Sequence, residues 1–341
     1  MKIAIRADGG SQIGMGHIMR TLVLAKELAK TNDIFYVCRI DYLTSNKYKP
    51  GIDKIKSEGF NVVTIKEGIF VEELCKVNAD CLITDSYDVN EEYFNITKKF
   101  FKVTGYIDDM NLYYFNVNFI INQNIGAEKC FYKVNKNTKL FLGTEYTMLR
   151  EEFRNIQKKV VNPQIADIMI TVGGSDSEGL TNIICNYIQE LEFRFHVVIG
   201  PSFEEDNIKE LIILSEKTKN VNLYFNANMV KLMKKCDIAI SACGSTLYEF
   251  AACGVPIIGI ILADNQKEVA INLQSKGAIE YLGWYDELNK EVLCNAILEL
   301  NKNINKRRKM SKKSTCIVDG RGAERITNVL NKVFGIKKFD V

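Results

Sequence analysis

Twice along this chain a short β-branched strand runs into a glycine-rich loop and then a helix, and that repeat constrains the fold more than any other feature. The first copy has a strand pattern at residues 2–7, the loop Asp8-Gly9-Gly10-Ser11-Gln12-Ile13-Gly14-Met15-Gly16-His17, and a helical run from Ile18. The second has a strand at 167–171 followed by Val172-Gly173-Gly174-Ser175-Asp176-Ser177-Glu178-Gly179. Further strands are expected at 34–38, 61–65, 81–85, 102–107 and 118–121, then at 195–199, 222–225, 238–241 and 256–260. Helical patterns lie between them, notably at 16–30 and 91–101. Strand, helix, strand repeated in this way implies α/β domains whose parallel sheets are covered on both faces. Open sheets of this kind bind ligands beyond the C-terminal ends of their strands.

A length of 341 residues exceeds one ordinary core, so two domains are expected. The segment around 145–163 is charged, contains Asn162-Pro163 and precedes a fresh strand. It therefore divides a first domain, 1–150, from a second, 151–341, with the last helix free to pack back on the first. Two such halves facing each other would hold a ligand in the cleft between them. The apolar and charged fractions, 47% and 26%, are those of a soluble globular protein. No stretch approaches the roughly 20 apolar residues of a membrane span, and residues 1–6 form a strand pattern rather than a signal peptide. A cytoplasmic protein is expected. Ten cysteines without a Cys-x-x-Cys pair read as buried reduced thiols. A net charge of +3 gives no reason to expect a nucleic-acid partner. The basic run from Lys306 to Lys313 is expected to be the solvated face of a late helix.

The first loop lacks the spacing of a dinucleotide motif, since Gly14-x-Gly16 is followed by Met19 and Cys38-Arg39 stands where an acidic residue should close the second strand. His17 is one of two histidines in the chain. At a helix N-terminus its neutral form is favoured, which suits a base. It could equally be a capping or packing residue, and spacing alone leaves both readings open. His196 alternates within a strand and reads as structural. In the second loop Gly173, Gly174 and Ser175 suit a diphosphate at a helix start, or form an ordinary turn capped by Asp176 or Ser177. It lacks the Gly-Lys-Ser/Thr of an ATP-binding P-loop. A third loop, Cys243-Gly244-Ser245-Thr246, leads into a helix carrying Glu249, whose carboxylate could accept both hydroxyls of a ribose. Asn265 and Gln266 follow the next strand. Three polar loops at successive strand ends favour a nucleotide pocket over three independent caps.

Taken together, Arg6-Ala7-Asp8 with Gly14-Met15-Gly16-His17-Ile18-Met19-Arg20 resembles the opening of the UDP-2,4-diacetamido-2,4,6-trideoxy-β-L-altropyranose hydrolases of pseudaminic acid biosynthesis. Asp85-Ser86-Tyr87-Asp88, Ile107-Asp108-Asp109, Asn122-Gln123-Asn124, Gly173-Gly174-Ser175-Asp176, Cys243-Gly244-Ser245-Thr246 and Asp319-Gly320-Arg321-Gly322-Ala323 extend the resemblance over nearly the whole chain. The family is similar to the B-type glycosyltransferases. The resemblance implies two Rossmann-like parallel-sheet domains facing a cleft, acting on a UDP-sugar without metal or other cofactor, in a chain expected to be a monomer. It implies that His17 activates water for an inverting displacement. Asp8, Gly14, Gly16, Arg20, Tyr87, Asn265 and Gln266 would line the substrate. Gly173, Gly174, Ser175, Gly244, Ser245, Thr246 and Glu249 would hold the UDP. Gly9-Gly10 and Ser177 depart from the family pattern, which bears on the sugar. The alternative is a B-type glycosyltransferase, in which an acceptor hydroxyl replaces water.

Overall fold

The computed structural model describes residues 1–10, 13–41, 47–157 and 159–335. Ser11 and Gln12 of the first glycine loop lie outside the described residues. The chain forms two compact units, one made of Met1–Leu149 with the segment from Arg321 onward, the other of Arg150–Gly320.

The first unit contains β1 (Lys2–Ala7), α1 (Gly16–Leu28), β2 (Asp33–Ile40), α2 (Lys49–Ser57), β3 (Asn61–Lys66), α3 (Phe70–Leu74), β4 (Cys81–Asp85), α4 (Glu91–Phe100) and β5 (Val103–Ile107). The two-residue strands β6 (Tyr114–Phe115) and β8 (Lys133–Val134) pair aside from the main sheet, and β7 (Phe119–Asn122) and β9 (Lys139–Leu142) complete it. The order is β3-β2-β1-β4-β5-β7-β9, parallel throughout. Along β1, Ile3 and Ile5 join one apolar cluster and Ala4 the other, so both faces are covered. Burial on both faces is why the strands read as continuous apolar runs rather than alternating ones. The chain leaves β1 toward β2 and later returns to its other side as β4, which makes the β1/β4 junction the topological switch point.

The second unit repeats the plan with β10 (Asp167–Thr171), α5 (Leu180–Ile188), β11 (Arg194–Ile199), α6 (Glu205–Lys217), β12 (Val221–Phe225), α7 (Met229–Lys235), β13 (Ile238–Ala242), α8 (Thr246–Cys253), β14 (Ile257–Ile261), α9 (Lys267–Ser275), β15 (Ile279–Trp284), α10 (Lys290–Lys302) and α11 (Ile304–Ser314). Its order is β12-β11-β10-β13-β14-β15, with the switch at β10/β13. Strands β9 and β15 were absent from the sequence expectation. Each is an edge strand with little full burial, and Lys139, Glu280 and Gly283 interrupt their apolar patterns.

The last helix, α12 (Gly322–Phe334), belongs to the first unit. Ala323, Ile326 and Leu330 join the cluster formed by α1 and one face of the first sheet. Arg325 donates to the Glu145 carbonyl at 2.8 Å. The second unit thus ends at Gly320 rather than at 341, because the apolar stripe of α12 has its covering surface on the first.

The basic run is solvated at Arg308, Lys309, Lys312 and Lys313, as expected, but not at Arg307. Lys306 bridges Glu280 and Glu299 at 2.8 Å each, and Arg307 is fully buried. Its guanidinium donates to the carbonyls of Leu300, Asn301 (2.9 Å), Asn162 (2.6 Å) and Pro163 (2.9 Å). Those of Leu300 and Asn301 belong to the last turn of α10, where backbone donors run out and the Leu300 carbonyl receives in addition the Asn303 amide at 3.3 Å. One arginine of the run is therefore an internal cap joining the 162–163 segment to α10. The ten cysteines are free thiols: Cys38, Cys81, Cys185, Cys236, Cys243 and Cys253 are buried, while Cys130 and Cys316 are exposed. Among the described residues no helix is long and apolar enough to cross a membrane.

Candidate functional site

In the first unit the polar residues gather where β1, β4, β5 and β7 end. The backbone of the first loop closes on itself through paired Gly10 and Gly14 hydrogen bonds of 3.1 and 2.9 Å. A Cβ at Gly51 would fall 2.5 Å from the Gly9 carbonyl oxygen, so the start of α2 rests directly on this loop. The N-terminus of α1 has no side-chain cap. Gly16 is exposed there, and a Cβ on it would meet nothing within 4 Å. Among the described residues, no side chain caps this helix start one residue before His17.

His17 is buried, and its Nδ1 lies 2.6 Å from Oδ1 of Asp85, the last residue of β4. Arg20, one helical turn beyond His17, donates to both oxygens of Asp85 at 2.6 Å. Burial alone would raise the Asp85 pKa, but the charge of Arg20 and then that of His17 pull it down to about 2. Asp85 is therefore ionised at neutral pH, and the proton of the short contact belongs to His17 Nδ1. The other group near that nitrogen, a terminal guanidinium N–H donor of Arg20, is farther away at 3.4 Å. Nε2 is left as the ring nitrogen able to take a proton. The helix-terminus reading of His17 thus acquires a second and closer electrostatic partner.

Asp109, just past β5, accepts from Arg20 at 2.7 and 2.8 Å, from the Tyr87 hydroxyl at 2.7 Å and from Asn124 at 2.9 Å. The Tyr87 ring meets that of His17 edge-on, with centroids 4.7 Å apart and planes at 76°. Partial burial and then the Asp109 carboxylate raise the pKa of the Tyr87 phenol, keeping it a hydrogen-bond donor.

The expected residues divide accordingly. His17, Arg20 and Tyr87 come together, with Gly16 alongside. Arg20 commits its guanidinium to two carboxylates, so it organises the cluster. Asp8 stands apart: its oxygens accept from the Arg39 amide at 2.8 Å and the Arg39 side chain at 2.7 Å, with Arg6 also at 2.7 Å. Asp85, Asp109 and Asn124 were not expected as site residues. Their signal was position, since each is a polar side chain ending, or just beyond, an apolar strand.

In the second unit the loops after β10, β13 and β14 lie on three adjacent strands. Gly173 has φ 118°, a conformation suited to glycine, with no atom within 4 Å of where a Cβ would stand. The start of α5 is already occupied: Asp176 accepts from the amides of Leu180 and Thr181 at 2.8 Å each. The capping role considered for Asp176 is thus seen, and the amides left for a ligand are those of the loop. The start of α8 has no side-chain cap, and Ser245 there is exposed. Gln266 fixes its side-chain carbonyl on the Leu262 amide at 3.0 Å, and its Nε2 lies 3.9 Å from the Cβ position of Gly244. Asn265 precedes it in the same turn. Glu249, mostly buried in the first turn of α8, receives Arg150 at 3.0 and 3.1 Å, both through Oε1. Burial raises its pKa, opposed in part by Arg150.

Residues 167–328 match the glycosyltransferase family 28 C-terminal domain. Over 293 residues the chain is 27% identical to UDP-2,4-diacetamido-2,4,6-trideoxy-beta-L-altropyranose hydrolase of Campylobacter jejuni, covering 82% of this chain and 99% of that protein. The chain is therefore similar to these hydrolases and, over residues 167–328, to that glycosyltransferase domain. It is also 31% identical over 290 residues to an uncharacterised protein of Methanocaldococcus jannaschii. That match covers 79% of this chain but 57% of the relative, so the chain spans little more than half of that protein's length. The crystal structure of MurG from Acinetobacter baumannii superimposes with a TM-score of 0.66 at 14% identity, covering 97% of this chain and 99% of that one. At that identity the likeness concerns the fold, two parallel-sheet α/β domains of the B type.

Proposed function

We propose that this protein is an inverting hydrolase of a UDP-activated amino-deoxy sugar, releasing UDP and the free sugar in the biosynthesis of pseudaminic acid or a related nonulosonic acid. The substrate proposed is UDP-2,4-diacetamido-2,4,6-trideoxy-β-L-altropyranose or a near relative, after the activity for which the Campylobacter homologue is named. The observation that carries this reading is the buried His17–Asp85 pair, 2.6 Å between Nδ1 and Oδ1, which leaves Nε2 to act as a base.

In this reaction a water oxygen attacks the anomeric carbon from the face opposite the diphosphate. The bond from that carbon to the diphosphate oxygen breaks, and its electron pair leaves with UDP. The water proton passes to His17 Nε2, and Asp85 stabilises the imidazolium that forms. The transition state is oxocarbenium-like, and attack from the opposite face inverts the centre. UDP leaves as a stable anion, so no protein acid need protonate it. Its diphosphate is assigned to the amides of the Gly173, Gly174 and Ser175 loop and to Gly244, Ser245 and Thr246 at the open start of α8, which oppose its developing charge. Glu249 takes the ribose hydroxyls, and Asn265 and Gln266 approach the sugar-diphosphate.

The family 28 match and the MurG-like fold favour one competing reading, a transferase in which an acceptor hydroxyl takes the place of water. Incubation with the UDP-sugar alone separates the two, because a hydrolase releases UDP with no acceptor present. NMR of the fresh product should show the inverted anomer. His17→Ala should retain UDP binding and lose about 10²–10⁴ in turnover. Near-normal UDP release by that variant would remove His17 from the reaction.

A further inference from the structure

Asp109 has more hydrogen-bond partners than a counter-charge needs. Arg20 is already matched by Asp85, which takes two of its nitrogens in a paired contact at 2.6 Å. The bond from Tyr87 does not serve core packing either, since Tyr87 is 45% exposed. What that bond does is hold a half-exposed ring edge-on to His17, at a centroid distance of 4.7 Å. Asn124 from the end of β7 and Arg20 from α1 fix the carboxylate in turn. Three strand ends and one helix therefore converge on a single buried carboxylate whose output is the placement of one surface tyrosine.

We propose that Asp109 is a positioning residue: it sets the Tyr87 ring against His17 and so fixes the space in which the water and sugar meet the base. The inference rests on His17 being that base. A free tyrosine side chain samples several rotamers, and ordering it on binding would cost part of the substrate's binding energy. With Asp109 in place the ring is ordered beforehand, and the benefit falls on the chemical step.

The test compares Tyr87→Phe, Asp109→Asn, their combination, and Asp109→Glu in the full chain. UDP release from the proposed substrate should fall roughly 10- to 100-fold in kcat for Tyr87→Phe and for Asp109→Asn, the factor that one charge-assisted hydrogen bond is worth. The double variant should be no slower than the slower single one, and UDP affinity should stay unchanged in all. Multiplying effects in the double variant, or wild-type kcat in Asp109→Asn, would overturn the proposal. Asp109→Glu guards against misfolding, since it keeps the charge beside Arg20. It should melt like the wild type and bind UDP, yet remain slow. Full recovery of kcat by glutamate would reduce Asp109 to a counter-charge.

A second readout needs no turnover. The chain has two histidines, so the His17 ring resonances can be assigned by comparison with His17→Ala. In Asp109→Glu they should move toward their positions in Tyr87→Ala, as the neighbouring ring is released. Unchanged resonances would refute the idea. If His17→Ala remains active, the base assignment itself falls. If it is inactive while the Tyr87 and Asp109 variants behave normally, only the present inference fails.

Discussion

Replacing Asp85 by asparagine should expose how stability and catalysis share one carboxylate. Asp85 is fully buried and its pKa falls from 3.8 to about 2 on folding. At 1.36 kcal/mol per pH unit this difference amounts to about 2 kcal/mol of stability. Because the folded pKa is the lower one, that contribution is complete above pH ~4 and is lost as pH falls toward about 2. The wild type should therefore lose about 2 kcal/mol over that window beyond what its other carboxylates account for, and Asp85→Asn should lack this component. At neutral pH the variant also leaves Arg20 with Asp109 as its one remaining carboxylate partner. Breaking a buried pair in this way typically costs about 3–5 kcal/mol; asparagine can still accept one bond, so about 2–4 kcal/mol is expected. An amide no longer stabilises an imidazolium and leaves the Nδ1 proton of His17 unspecified, which should lower kcat by about 10²–10⁴. Urea melts at pH 7 and between pH 2 and 5, together with UDP release, measure both effects. A variant within about 0.5 kcal/mol of wild type that turns over normally would refute the coupling.

Other consequences follow from particular contacts. Arg307→Met should destabilise the protein by about 2–4 kcal/mol in chemical denaturation, since it removes a buried guanidinium that donates to four backbone carbonyls; a change under about 0.5 kcal/mol would show that Arg307 is not an internal cap. Ile326→Ala in α12 should cost about 2–5 kcal/mol and lower the stability of the first unit, as limited proteolysis can report. Asp176→Ala removes two capping bonds at the start of α5 and should cost about 0.5–2 kcal/mol, read from the thermal midpoint. Burial raises the Glu249 pKa, so UDP affinity should weaken as pH falls through that raised value, above the usual carboxylate range; calorimetric titration of UDP should show a weaker pH dependence in Glu249→Gln.

The sequence by itself determined the central strands, the parallel α/β class and the glycine loops, because these depend on local periodicity and on turn chemistry. β1 and β4 were legible since strands buried on both faces leave unbroken apolar runs. It also placed His17 at a helix start and showed how few histidines there were to choose from. Tertiary structure decided what His17 touches. Asp85 is 68 residues away along the chain, and the parallel pairing of β1 with β4 at the switch point is what brings the carboxylate to the ring. Nothing in local spacing separates a carboxylate that ends a strand beside a histidine from one that faces water. The same holds for Arg307, a lysine-rich helix residue by sequence and a buried cap by packing, and for α12, whose apolar stripe could not say which unit would cover it. His17 began as a base or a cap with equal standing; it is the fold that pairs its Nδ1 with an ionised aspartate, and the proposed role of Nε2 rests on that pairing.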